Sequence, residues 1–201
     1  MKVVAVSQRV DIISNRNESR DALDQRLVNF LSSLNCLVVP VPNNYARSFE
    51  DINNTANFFE SWISSVNPDA IILSGGNDIG EYIERDLTET WLLDYAKKNK
   101  LPLLGICRGM QMMAHLAGIT LFEVSGHVAT RHFIDGQISG NVNSYHNFGF
   151  KNTPDNYEVL AYDEFGIIEA IKHLQLPWEG WMWHPERETP FVDNDLSLIH
   201  I

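Results

Sequence analysis

Residues 103–111 read Leu103-Leu104-Gly105-Ile106-Cys107-Arg108-Gly109-Met110-Gln111. An apolar run of strand length gives way at once to a helix-forming one, and the junction carries Gly-x-Cys-x-Gly. The two glycines permit a tight strand-to-helix turn that leaves the central side chain exposed at the carboxyl end of a sheet, with a helix N-terminus beneath it. The positive end of that helix favours the thiolate, the reactive form of cysteine. With 12 Gly and 2 Cys in 201 residues, the pattern arises by chance in roughly 1% of shuffled sequences. Cys107 is therefore expected to be a nucleophile. Cys36, inside the apolar run 36–41 (CLVVPV), has no such setting and is expected in the core.

Upstream of this junction two periodicities alternate. Residues 2–7 (KVVAVS), 36–41 and 69–73 (DAIIL) read as buried strands, and 102–106 as a fourth. Leu23, Leu27, Phe30, Leu31 and Leu34 share one helical face, which predicts a helix over about 18–35. Further helices are expected over 56–66, through Leu87, Trp91 and Tyr95 to the lysines at 97–100, and over 109–117. Strand and helix in this rhythm imply a parallel sheet covered on both faces. From Ile119 onward short strands are separated by turn residues such as Asp135-Gly136, Ser139-Gly140 and Phe148-Gly149, with a late strand at 181–184 and a short terminal helix within 191–201. The expected fold is α/β: an open, mostly parallel sheet with helices on both faces, plus an antiparallel hairpin region in the C-terminal half, forming one domain over 1–201.

Charge limits the partners. Fifteen Lys and Arg against 26 Asp and Glu give −11, which disfavours nucleic-acid polymers and anionic membrane surfaces. No apolar run approaches the roughly 18 residues of a membrane span, and the apolar stretch 3–6 is too short for a signal peptide, so a cytoplasmic location is expected.

A thiol nucleophile needs a base, and the base needs a group that holds its tautomer. Trp183-His184-Pro185-Glu186 offers both: on an extended chain residues i and i+2 point the same way, so Glu186 would face one ring nitrogen of His184 while the other faces the thiol. Acyl transfer also needs an oxyanion hole. Gly75 and Gly76 follow the third strand at the sheet edge where Cys107 emerges, so one donor is assigned to the Gly75/Gly76 backbone and the other to the N–H of Arg108. A metal site from Cys107, His184, Glu186 and His146 lacks any recognised ligand spacing, and neither metal nor cofactor is called for.

Ser74-Gly75-Gly76, the Cys107 junction and His184-Pro185-Glu186 resemble, in order and spacing, the class I glutamine amidotransferase fold. Arg85-Asp86 with Glu89, Asn143-Ser144-Tyr145-His146 and Gly166-Ile167-Ile168-Glu169-Ala170-Ile171 resemble its γ-glutamyl hydrolase branch. The resemblance implies a Cys-His-Glu triad, a glutamyl thioester on Cys107, release of glutamate, and substrate contacts from Gln111, Ser144, Tyr145 and His146. A partner of small-molecule type, a γ-glutamyl compound with a nucleotide-linked leaving group as one option, is then expected. Gln8, Arg9, Arg16 and Arg20 follow the first strand, and Arg9 is the foremost candidate to receive an anionic leaving group. The rival expectation is a glutaminase subunit that passes ammonia to a separate synthetase, since 201 residues leave no room for one in the chain.

Overall fold

The structure is a computed structural model that describes residues 1–43 and 52–192, and side chains 52–57 are left aside. Strand β1 (Lys2–Ser7) is followed by β2 (Arg9–Ile13) and β3 (Glu18–Ala22), then α1 (Gln25–Ser33), β4 (Cys36–Val41), α2 (Ile52–Val66) and β5 (Ala70–Leu73). Helix α3 (Ile83–Asn99), β6 (Leu103–Ile106) and α4 (Arg108–Leu116) complete the first half. The second half contributes the strands β7 (Phe122–Glu123), β8 (Val128–Gly136), β9 (Gly140–Tyr145), β10 (Phe148–Gly149), β11 (Tyr157–Asp163), β12 (Ile168–His173) and β13 (Trp178–Trp181).

Nine strands form one sheet in the order β4-β1-β5-β6-β13-β12-β11-β8-β9. The pairs from β4 to β13 are parallel and those from β13 to β9 antiparallel. The expected α/β architecture with its hairpin region is what is found. Alternation along the central strands sorts side chains to two faces. Ala5, Ile71 and Leu73 pack with Phe59, Ile63, Leu92 and Met110 from α2, α3 and α4. Val4, Val6, Ala70 and Ile72 pack with Leu27, Phe30 and Leu31 of α1.

The helix expected over 18–35 exists only as Gln25–Ser33. Residues 18–22 (ESRDA) have no apolar face to bury, and they pair instead with β2 in a hairpin running from Arg9↔Ala22 to Ile13↔Glu18. The helix begins where its stripe does, capped by the Asp24 carboxylate, which accepts from the Arg26 N–H at 2.9 Å. The late strand is Trp178–Trp181, and His184 stands outside it as the cap of a 3-10 turn at Pro185–Arg187. The terminal helix within 191–201 lies outside the described residues beyond position 192. Among the described residues, no helix is long and apolar enough to cross a membrane.

Topology alone brings the two motifs together. Strands β6 and β13 are parallel neighbours in register, Ile106 opposite Trp181, so the residues that follow each emerge at the same sheet edge. The Cys107 N–H donates to the Trp181 carbonyl at 2.7 Å, extending that ladder by one step.

Candidate active site

Cys107 sits at φ 51°, ψ −105°, a conformation that L residues rarely adopt and that is held only where the surroundings over-determine it. Here the constraint is the immediate reversal from β6 into α4. Gly109 makes that reversal possible, because a Cβ at this position would lie 2.2 Å from the Leu73 carbonyl oxygen. The close approach sets the helix N-terminus against the end of β5, where Ser74-Gly75-Gly76 begins. The N–H of Arg108, first in the helix, has no intrahelical acceptor and is available to a ligand.

His184 is buried, and its Nδ1 stands 2.7 Å from Glu186 Oε1. Since a carboxylate only accepts, Nδ1 carries the proton and Nε2 is left to face the thiol. The pairing is achieved on the 3-10 turn, not on the extended chain expected from the sequence. The backbone of His184 is fixed from both sides by one side chain: Asn143 Oδ1 accepts from its N–H at 3.0 Å, and Asn143 Nδ2 donates to its carbonyl at 2.7 Å. Burial alone would lower the imidazole pKa, but the charge and hydrogen bond of Cys107, followed by those of Glu186, outweigh it and push it up to about 9. The arrangement thus favours the imidazolium form of His184 beside Cys107.

Behind the Gly75-Gly76 loop lies a buried ion network that the sequence showed only in part. Arg85 and Glu89, four residues apart on α3, pair at 3.2 Å with no exposure of either side chain. Arg108 joins both Glu89 and Asp86, and Ser7 Oγ donates to Glu89 at 2.8 Å. Burial, then the charge of a neighbouring arginine, pulls Arg85 down to about 10 and Arg108 to about 9, so both remain cationic at neutral pH. Arg85 has a second task. Its Nη2 donates to the Ser74 carbonyl at 2.8 Å and to the Gly75 carbonyl at 3.0 Å. In a trans peptide the C=O of one residue and the N–H of the next point in opposite directions. Holding those carbonyls therefore turns the N–H groups of Gly75 and Gly76 away from Arg85. Gly75 itself is packed against the base, since a Cβ there would lie 2.5 Å from His184 Cε1.

The structure distributes the other sequence-derived candidates unevenly. Gln111, one turn after Cys107, is buried and donates to the Phe148 carbonyl at 2.9 Å, and both residues border a cleft of about 450 Å³ with Asp78 and Ile79. The Tyr145 ring stands edge-on to His184 at 5.7 Å and lies under Arg187, whose guanidinium carbon is 4.3 Å from the ring centre. Ser144 and His146 are already engaged elsewhere: the serine hydroxyl donates to the His127 carbonyl at 2.7 Å, and His146 Nδ1 meets the Phe148 carbonyl at 2.9 Å. Arg9 borders a small cleft with Gly75, Gly76, His184 and Arg187. It reaches that place because its hairpin is tied to the same loop, with the Val10 N–H donating to Asn77 Oδ1 and Asn77 Nδ2 to the Val10 carbonyl. Arg20 instead pairs with exposed Glu18 on the hairpin. Sequence reasoning quoted Asn143 within a motif but missed its part as the clamp on His184, and it missed Arg187, for which the position directly after Glu186 offered a signal.

The family described as glutamine amidotransferase class-I matches residues 18–193. A γ-glutamyl-CDP-amidate hydrolase of Campylobacter jejuni is 36% identical over 138 residues, which span 66% of this chain and 66% of that protein. A glutamine-hydrolyzing GMP synthase subunit of Methanocaldococcus jannaschii is 32% identical over 136 residues, 63% of this chain and 69% of that protein. Among solved structures, a putative GMP synthase subunit of Thermoplasma acidophilum superposes with a TM-score of 0.67 at 19% identity, covering 98% of this chain and 94% of that one, a likeness of fold.

Proposed function

Because the chain belongs to the class-I glutamine amidotransferase family, a family of hydrolases acting on γ-glutamyl amide C–N bonds, we propose that Cys107, His184 and Glu186 carry out that chemistry here. The Cys107 thiolate attacks the side-chain carbonyl carbon of a glutamyl group. The resulting oxyanion is held by the N–H groups of Gly76 or Gly75 and Arg108. His184 Nε2 gives its proton to the departing nitrogen as the C–N bond breaks, leaving a glutamyl thioester. The now neutral imidazole takes a proton from water, whose oxygen attacks the thioester; the C–S bond then breaks, glutamate leaves, and the starting thiolate–imidazolium pair is restored. Glu186 stabilises the imidazolium in both steps. The observation that carries this reading is the junction of neighbouring strands, which sets the strained Cys107 beside a buried His184–Glu186 pair 2.7 Å apart.

The cleft beside Gln111 and Phe148 takes the glutamyl moiety, with Tyr145 closing the His184 side. Ser144 and His146 then act by supporting this wall. For the leaving group we favour a nucleotide phosphoramidate, so that the substrate is γ-glutamyl-CDP-amidate and the product cytidine diphosphoramidate, in capsule phosphoramidate synthesis. The 36% identical Campylobacter protein supports this substrate, as do Arg9 and Arg187 beside His184 in an otherwise acidic chain. Among the described residues Arg9 pairs with exposed Asp11, a contact weak enough for a phosphate to displace. Nucleotide chemistry of this kind belongs to the cytoplasm, where two unpaired thiols stay reduced. Glutamate release from a γ-glutamyl phosphoramidate, from a simple γ-glutamyl amine and from glutamine tests the reading. Arg9→Ala should slow the phosphoramidate alone, by about tenfold to a hundredfold for a lost charged hydrogen bond; equal slowing of all three would remove the leaving-group assignment. The GMP synthase relative favours a second reading, a glutaminase subunit serving a separate synthetase. In that case the purified chain would be idle on all three substrates until its partner is added.

A further inference from the structure

Away from Cys107, on the antiparallel side of the sheet, His127, His132, His146, Asp163 and Glu169 converge from β8, β9, β11 and β12 and the turns beside them. His127, His146 and Glu169 are almost wholly buried. Six imidazole and carboxylate atoms here have no hydrogen-bond partner among the described residues: His127 Nδ1, His132 Nε2, His146 Nε2, Glu169 Oε1 and Oε2, and Asp163 Oδ2. Unpartnered buried polar atoms are costly, and so many in one place require an occupant.

The local backbone is built to make them converge. His127 and His132 are five residues apart, which on a regular strand puts them on opposite faces. A bulge between Val128 and Thr130, with Ala129 at φ 54°, adds one residue and returns both to the same side. His146 Nδ1 lies 2.9 Å from the Phe148 carbonyl, which can only accept, so Nδ1 donates there and Nε2 is the ring atom left to face the cluster. It stands 3.5 Å from Glu169 Oε1. His127 offers its Nδ1 to the same Oε1 at 3.9 Å, with its Nε2 3.3 Å from Asp163 Oδ2. His132 Nε2 stands 3.4 Å from Glu169 Oε2. These separations are long for charged hydrogen bonds, but two ligands about 2.0–2.1 Å from a common tetrahedral ion lie about 3.3 Å apart.

We propose that His127, His132 and Glu169, whose ligand atoms lie within 4.8 Å of one another, bind a divalent transition-metal ion. Two imidazoles and one carboxylate suit Zn²⁺, and His146 Nε2, 3.5 Å from Glu169 Oε1, stands beside the set. Asp163 orients His127 from outside, as carboxylates do for metal-bound imidazoles. The ion would clamp β8 and β12. Through the Met182 N–H, which donates to the Glu169 carbonyl at 2.8 Å, it would also steady the segment that leads to His184.

Metal content tests this without any turnover, and so independently of the proposed reaction. The chain is stripped with chelator, dialysed against zinc or cobalt, and assayed by mass spectrometry of the metal. The expected result is about one ion per chain in wild type and in Cys107→Ala, and loss of that ion in His132→Gln, the ligand nearest the surface, with circular dichroism to confirm its fold. If that variant does not fold, the wild-type cobalt spectrum decides: bands of tetrahedral nitrogen and oxygen ligation are expected, without a thiolate charge-transfer band. No stoichiometric metal in wild type, a thiolate band, or metal that disappears with Cys107 and not with His132 would overturn the proposal.

Discussion

Substituting Gly75 by alanine probes the site through a single methyl group. The new Cβ would meet His184 Cε1 at 2.5 Å and the two ring nitrogens at 3.4 and 3.5 Å, whereas ordinary contact begins at 3.4 Å. Loop and ring must therefore separate by about 0.9 Å, close to the 1 Å misplacement that costs on the order of a hundredfold in rate. The ring has little freedom to yield, because Glu186 holds it at 2.7 Å and Asn143 holds its backbone at both ends. The loop has little more, because Arg85 holds the Ser74 and Gly75 carbonyls. Whichever moves, the oxyanion donors and the base no longer address one atom. Since that alignment matters most in the transition state, kcat should fall about a hundredfold, or about 2.7 kcal/mol, while KM changes little. Overpacking should cost about 1–3 kcal/mol of stability, read separately from a urea melt. Steady-state kinetics on a γ-glutamyl substrate is the assay. A Gly75→Ala enzyme within about threefold of wild-type kcat, with an unchanged melt, would refute the packing argument.

Two further outcomes follow from the buried charges. Arg85→Met should destabilise the fold by about 3–5 kcal/mol, since it removes one charge of a buried network and takes a donor from the buried Ser74 carbonyl; Arg85→Lys, which keeps the charge but loses the planar fork, should recover stability better than kcat. The raised His184 pKa ties stability to pH in a definite sense. The contribution is fully present below 6.5 and is lost as pH rises through about 9, on the order of 3 kcal/mol in all. Urea midpoints across that window should fall with pH, and Cys107→Ser should flatten the fall; an equally steep profile in the variant would separate the shift from Cys107.

The sequence made legible what is local. Residues 103–111 contain the whole strand-to-helix junction, and the two motifs that flank the sheet edge lie within short stretches. The 3.6-residue stripe from Leu23 to Leu34 located α1, but it could not show where the helix begins, because 18–22 carry no periodic apolar signal and form a hairpin anchored by Asn77. Contacts between distant segments were invisible. Arg85 and Glu89 stood in plain helical spacing, yet Arg108 completes their network from another helix. The His127, His132 and Glu169 cluster joins residues as far as 42 apart in number and depends on a bulge that no periodicity announces.

The central claim is that Cys107 carries the glutamyl group as a thioester. Its most direct test is rapid quenching of the enzyme during turnover of a γ-glutamyl substrate, followed by mass spectrometry of the peptide containing residue 107. A glutamyl adduct on Cys107, absent from the Cys107→Ala variant together with its activity, is the predicted result. Undiminished turnover in Cys107→Ala, or an adduct found on another residue, would contradict it.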